Sequence, residues 1–277
     1  MEGRLAVPGG ELYYRVDDFT DPWRPRQTIL LVHSAAGNVE RWRCWIPTLA
    51  RRYRVVRFDL RGHGRSSTPP PDYQWSIARL ARDIRDLIDA LGTGPVHYVG
   101  NSAGGIIGLQ FVHDEPEYVR SLTLIGATPQ LSRAKVSLAE WIERTERLGV
   151  RGFFRSDAAT RFSPQAAPGL LEWFADETAK TPQPVVTSFI PYMNSLDLWP
   201  LLSEIETPTL LVAAEDDQIT PVEVQLEMQA AIPLARLILY PTSGHNIGDE
   251  FPDRCAADTL AFIDEIVAGE RAEVPRE

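Results

Sequence analysis

The 277-residue chain is short of several residue types, and each shortage removes a class of function. Lysine occurs only at Lys135 and Lys180, so arginine supplies almost all of the 28 cations; Asp and Glu number 38, for a formal charge of −10. So acidic a balance argues against a nucleic-acid surface or an anionic-membrane binder, since both need clustered cations. The scarcity of lysine is read as codon bias of a GC-rich genome and carries no function. Cysteine also occurs twice, at Cys44 and Cys255, too few for a disulfide framework and without a metal-like Cys or His neighbour. No apolar run approaches the ~20 residues that span a bilayer. Met1–Gly10 lacks the basic stretch followed by an apolar one that marks a secretory leader. These absences together predict a cytoplasmic chain that uses no metal or organic cofactor and meets neither nucleic acid nor membrane. A homo-oligomer is compatible with them.

What is present is alternation. Leu12–Val16, Thr28–Val32, Arg54–Phe58, Val96–Val99, Leu122–Ile125, Thr209–Ala213 and Arg236–Tyr240 are short β-rich runs. Several are continuously apolar, as strands buried on both faces of a parallel sheet must be. Between them lie segments of helical period. Ile77, Leu80, Ala81, Ile84, Leu87, Ile88 and Leu91 make one apolar stripe, closed by Gly92 as a C-cap. Val222–Ile232 and Arg254–Val267 behave similarly. The pattern predicts an α/β fold: a doubly wound, mostly parallel sheet with helices on both faces. From about Pro129 to Pro200 the alternation stops. Helical stretches (Lys135–Leu148, Pro168–Ala179, Pro184–Ser195) rich in aromatics replace it, as in a lid inserted between two strands. The expected organisation is a core of residues 1–128, a helical cap of 129–200 and a second part of the core from 201 to 277. The polar tail, Gly269–Glu277, is expected to fray.

The chemistry centres on Val96–Gly105, where a strand runs through Gly100-Asn101-Ser102-Ala103-Gly104 into an apolar helix. A G-x-S-x-G pentapeptide alone is weak evidence. Between a buried strand and a helix it reads as a nucleophile elbow, with Ser102 standing at the positive end of the helix dipole. A serine hydroxyl needs a base, and the chain has five histidines. His97 lies within a strand, His113 near a helix end, His63 in a Gly-rich turn, and His33 at a strand end. His245, in the loop Ser243-Gly244-His245-Asn246 after a strand, is the preferred base. The carboxylate that would orient it comes from Ala214-Glu215-Asp216-Asp217, with Asp217 the first choice and Asp216 the second.

With these residues in place the chain resembles the α/β-hydrolase superfamily from about Glu11 to Val267. The matching segments are Leu31–Asn38, Phe58–Ser66, Val99–Gly105, Ala214–Pro221 and Ser243–Pro252. The family's G-x-x-D-x-[IV]-x-P loop puts its aspartate on Asp217. A second, less specific resemblance is to the oxoadipate enol-lactonase and esterase branch. The resemblance implies a Ser102–His245–Asp217 triad and an acyl-enzyme route. It also implies an oxyanion hole of the Ala35 and Ala103 backbone N–H groups, although Ser34 stands where the familiar form has glycine, which leaves a neighbour of Ala35 as the alternative donor. Serine at the elbow, rather than aspartate, argues against the haloalkane dehalogenase and epoxide hydrolase branches.

The expected activity is hydrolysis of a carboxylic ester or lactone of a small to medium apolar or aromatic substrate. Carbon–carbon bond hydrolysis of a vinylogous diketone, or ligand reception on a hydrolase fold, are the alternatives. Substrate contacts are expected from Trp42, Trp141, Phe153, Phe154, Trp173 and Tyr192, drawn from an apolar set that includes Phe162, Phe174, Phe189 and Met193; helical spacing serves lid packing equally well. Arg133, Arg151, Arg155 and Arg161 are read as solvated charges of the lid, with contact to a substrate carboxylate as the alternative.

Overall fold

In a computed structural model of the chain, residues 1–273 are described, with side chains as far as residue 270. Eight strands form one sheet: β1 (Glu2–Val7), β2 (Gly10–Asp17), β3 (Thr28–Val32), β4 (Arg54–Phe58), β5 (Val96–Asn101), β6 (Val119–Ile125), β7 (Thr209–Ala214) and β8 (Ala235–Tyr240). Their spatial order is β1-β2-β4-β3-β5-β6-β7-β8; β2 runs antiparallel to both of its neighbours, β1 and β4, and the pairings from β4–β3 to β7–β8 are all parallel. Helices α1 (Ile46–Leu49), α2 (Ile77–Leu91) and α3 (Ala103–Asp114) follow the first strands. Between β6 and β7 lie α4 (Leu138–Ser156), α5 (Ala158–Arg161), α6 (Pro168–Thr178) and α7 (Gln183–Asn194). The chain then adds α8 (Val222–Ala231), α9 (Ile247–Glu250) and α10 (Pro252–Glu273).

The continuous apolar strands are explained by burial on two sides. In β3, Leu30 and Val32 join a core layer with α2 and α3, whereas Ile29 and Leu31 point to a second layer with α1 and α10. Alternate residues face alternate layers, so the strand is apolar apart from Thr28 at its start. Helix α2 starts on Ser76, which accepts a hydrogen bond from the Arg79 N–H, and ends on Gly92 in the left-handed conformation (φ 55°).

Three local expectations change. Helix α4 does not stop at Leu148; it kinks at Gly149 (φ 69°) and continues to Ser156. The terminal helix runs through residues 269–273 rather than fraying there, and residues 274–277 of the expected tail lie outside the described residues. Strand β1 was not anticipated, because the only apolar run in its half-exposed sequence EGRLAV is the three residues Leu5, Ala6 and Val7. The helices between β6 and β7 enclose an apolar cluster of their own, built on Trp141, Phe153, Phe154, Phe162, Phe174 and Ile190. Cys255 is buried and Cys44 exposed, both free. Among the described residues no helix is long and apolar enough to cross a membrane.

Candidate active site

Ser102 occupies the turn between β5 and α3 with φ 48° and ψ −113°, a conformation L-residues rarely adopt. The flanking glycines permit it. A Cβ on Gly100 would lie 2.6 Å from the Gly104 carbonyl oxygen, and one on Gly104 would lie 2.3 Å from the Val32 carbonyl oxygen. The turn can be this tight, and helix α3 can press this closely on β3, only without side chains at those two positions.

His245 sits in the loop after β8, with Nε2 3.0 Å from Ser102 Oγ and Nδ1 2.8 Å from Asp217 Oδ2. Asp217, at the end of β7, also accepts from the backbone N–H groups of Ile219 (2.7 Å) and Thr220 (2.9 Å) and from the Thr220 hydroxyl (2.5 Å). Burial pushes its carboxyl pKa up, but the charge and hydrogen bond of His245 and the Thr220 bonds outweigh it, and the net shift is downward. A buried carboxylate held ionised in this way fixes one tautomer of the imidazole and leaves Nε2 free to take a hydroxyl proton. Asp216, the alternative carboxylate, is exposed and does not reach His245.

Ala35 and Ala103 border the same cavity as Ser102 and His245. Ala103 is the first residue of α3, so its N–H has no acceptor within the helix. The Ala35 N–H donates to no other group among the described residues. The loop that carries Ala35 is braced from below by His33, whose Nδ1–H donates to the Ser34 carbonyl (2.8 Å) while Nε2 accepts from the Leu60 N–H (2.9 Å). Burial and the nearby His63 hold the His33 pKa well below its ordinary value, so it serves as a neutral prop.

The cavity over Ser102 measures about 40 Å³, room for roughly three water molecules. Of the six anticipated contact residues, Trp141 and Phe154 border it. The other four are placed elsewhere. Trp42 packs edge-on against Trp45 in the layer beneath the sheet, and Phe153 is fully buried inside the helical insertion. Trp173 lines a separate surface groove with Arg43 and Cys44. The Tyr192 hydroxyl accepts from the Ile77 N–H at 2.5 Å and so fastens α7 to α2. In their place the cavity takes Phe174 and Met193 from the wider apolar set, with Ile190 and Leu131. It also takes Arg161. That arginine is buried, contrary to the expectation of a solvated charge, while Arg133, Arg151 and Arg155 are paired with carboxylates in largely solvent-accessible positions. Among the described residues no group of three or more His, Cys, Asp or Glu could hold a metal ion.

A mostly parallel sheet that delivers Ser, Asp and His after β5, β7 and β8 defines a class of architecture, and sequence comparison names it. The family model for the alpha/beta hydrolase fold matches residues 27–252, and the chain belongs to that family. Among curated relatives, one from Azorhizobium caulinodans named as a carbamate hydrolase (RutD) is 29% identical over 269 residues, covering 92% of this chain and 96% of its own. The 2-hydroxy-6-oxo-6-(2'-aminophenyl)hexa-2,4-dienoic acid hydrolase of Metapseudomonas resinovorans is 28% identical over 86% of this chain and 84% of its own. Among solved structures, the enol-lactonase of Burkholderia xenovorans LB400 superposes with a TM-score of 0.85 at 23% identity, covering 95% of this chain and all of the other. That last likeness is one of fold.

Proposed function

We propose that the protein is a serine hydrolase that cleaves a carboxylic ester or lactone through an acyl-enzyme intermediate. The observation that carries this reading is the unbroken hydrogen-bond chain Asp217–His245–Ser102, with Ser102 held in its strained turn. Ser102 Oγ attacks the carbonyl carbon as His245 Nε2 takes its proton. The developing oxyanion is met by the N–H groups of Ala103 and Ala35, the former at the positive end of α3. His245 then returns the proton to the departing alkoxide, and the acyl group remains on Ser102. Water, deprotonated by the same imidazole, releases the acid and regenerates the hydroxyl. Asp217 stays ionised throughout and stabilises the imidazolium.

The helices of residues 129–200 act as a cap over Ser102. A cavity of about 40 Å³ is too small for most esters, so substrate entry displaces cap side chains or the cap itself. Carbon–carbon bond hydrolysis is a second reading, favoured by the relative that acts on a hexadienoic acid. A panel of p-nitrophenyl esters set against vinylogous diketones separates the two. The proposal expects ester turnover that falls at least about a thousandfold in Ser102→Ala without loss of folding. Diketone turnover with inert esters supports the second reading. No turnover of either, with a ligand that raises the melting temperature, leaves a receptor.

A further inference from the structure

Of the six arginines in the helical insertion, Arg133, Arg151 and Arg155 pair with carboxylates at the surface. Arg133 makes a two-pronged pair with Glu227 (2.7 and 2.8 Å), Arg151 reaches Asp176 and Glu172, and Arg155 reaches Glu172. Arg161 differs in every respect. It ends α5, is 6% exposed, and borders the cavity that holds Ser102 and His245. Its Nε lies 3.0 Å from Asp157 Oδ2, but the two are misaligned and make no hydrogen bond. Neither Nη nitrogen donates to any group among the described residues. A guanidinium carries five N–H donors, and a buried one without acceptors is rare enough to need a reason.

The surroundings hold the group in place without satisfying it. The rings of Phe154, Trp141 and Phe153 lie 4.7, 5.0 and 5.9 Å from Cζ, stabilising the cation through their faces while accepting no N–H bond in the guanidinium plane. Asp157 is shared, since Arg144 also donates to it at 3.1 Å, so two guanidinium charges face one carboxylate. The other buried arginine nearby, Arg41, has its charge matched by a two-pronged pair with Asp249, although its remaining Nη has no hydrogen-bond partner among the described residues. At the cavity wall the Arg161 charge is therefore met by the shared Asp157 and, at longer range, by Asp217, whose oxygens are taken up by His245, Ile219 and Thr220. Burial lowers the Arg161 pKa and Asp157 counters it, and a guanidinium stays charged under either influence. The backbone fixes its position relative to the base: the Arg161 carbonyl accepts the Asn246 N–H at 2.8 Å, one residue from His245.

We infer that Arg161 is a substrate-recognition residue, and that the substrate attacked by Ser102 carries a carboxylate a few bonds from the scissile carbonyl. The inference rests on the hydrolase reading above for its second half and on the geometry of Arg161 alone for its first. A cation whose Nη donors have no acceptor, in so small a cavity, suits a planar monoanion, which can accept two parallel N–H bonds from the guanidinium edge. The remaining apolar wall, from Phe174 to Met193, would then hold the rest of the molecule.

The test compares mono-p-nitrophenyl glutarate, which has a free carboxylate, with its neutral methyl ester, so that the leaving group is constant. The wild type should favour the acid in kcat/KM by about tenfold or more. Arg161→Gln should bring that ratio to near one, mainly through KM, and Arg161→Lys, which preserves a partner for Asp157, should restore part of it. A wild-type ratio at or below one, or a ratio unchanged in Arg161→Gln, overturns the assignment. Binding is measured separately by calorimetry, with monomethyl glutarate added to Ser102→Ala and to Ser102→Ala/Arg161→Gln. Arginine-dependent binding without ester turnover keeps the carboxylate site and removes the hydrolase reading. Ester turnover with no preference and no arginine-dependent binding removes the site and keeps the hydrolase.

Discussion

Asn246 donates its backbone N–H to the carbonyl oxygen of Arg161 at 2.8 Å, and this bond ties the loop of His245 to the helical insertion above it. A second tie lies close by, where the Ser163 N–H donates to Glu250 at 3.0 Å. The imidazole is thus positioned from both sides, by Asp217 in the core and by the backbone of α5 in the insertion.

The close approach at this junction makes Gly244 sensitive. A Cβ there would lie 2.7 Å from the Arg161 carbonyl carbon, a backbone atom with no freedom to swing aside. Gly244→Ala is expected to cost about 1–3 kcal/mol of stability, as overpacking does. It should also lower kcat/KM for esters, because the shift falls one residue from His245. Urea unfolding and steady-state kinetics check both, and a variant as stable and as active as the parent contradicts the contact.

The two neighbouring carboxylates should differ sharply. Asp217→Asn keeps the shape but removes the charge and the fixed tautomer, and should lower kcat by roughly 10⁴-fold. Asp216 is exposed, so Asp216→Asn should stay within about twofold of the wild type. Kinetics on the pair decide the matter, and the reverse order would contradict the orienting role of Asp217.

Much of this was legible from sequence, for identifiable reasons. The runs TILLV and RVVRF have the same bounds in β3 and β4, because burial on both faces makes most of each run apolar, the exceptions being Thr28, Arg54 at the strand start and Arg57, which pairs with Asp17. Gly100 and Gly104 were readable because a turn this tight excludes Cβ atoms. The cavity wall was not readable. Phe153 and Phe154 are adjacent aromatics on one helix, and only the helix rotation sends the second to the cavity and the first into the interior. Arg161 looked like Arg151 and Arg155 for the same reason: sequence carries the charge, whereas burial depends on the packing of α5 beneath α4 and α6.

Stability should fall as pH drops from about 6.5 towards 4. Burial lowers the pKa of His63 and of His97 to about 4, and that of His33 well below the ordinary value. In that window the unfolded chain binds these protons and the folded chain does not, so each histidine favours unfolding as pH falls. Asp59 acts in the opposite sense. Burial raises its pKa to about 6, so the folded state binds its proton first and gains as pH falls from 6 towards 3.8. His113, whose pKa its hydrogen bond to Asp114 raises, acts in the same sense as Asp59 but is near the surface, so the three buried histidines leave a net loss on acidification. Urea midpoints at pH 7 and pH 4.5 measure it, and an equal or higher midpoint at pH 4.5 contradicts the buried neutral histidines.

The most direct test of the central claim is covalent. A fluorophosphonate reagent phosphonylates a serine only where a base and oxyanion donors activate it. The account predicts one equivalent per chain, mapped to Ser102 by peptide mass spectrometry, with ester hydrolysis lost in proportion and labelling abolished in His245→Ala. An unlabelled Ser102, or full inactivation with the adduct on another residue, would contradict it.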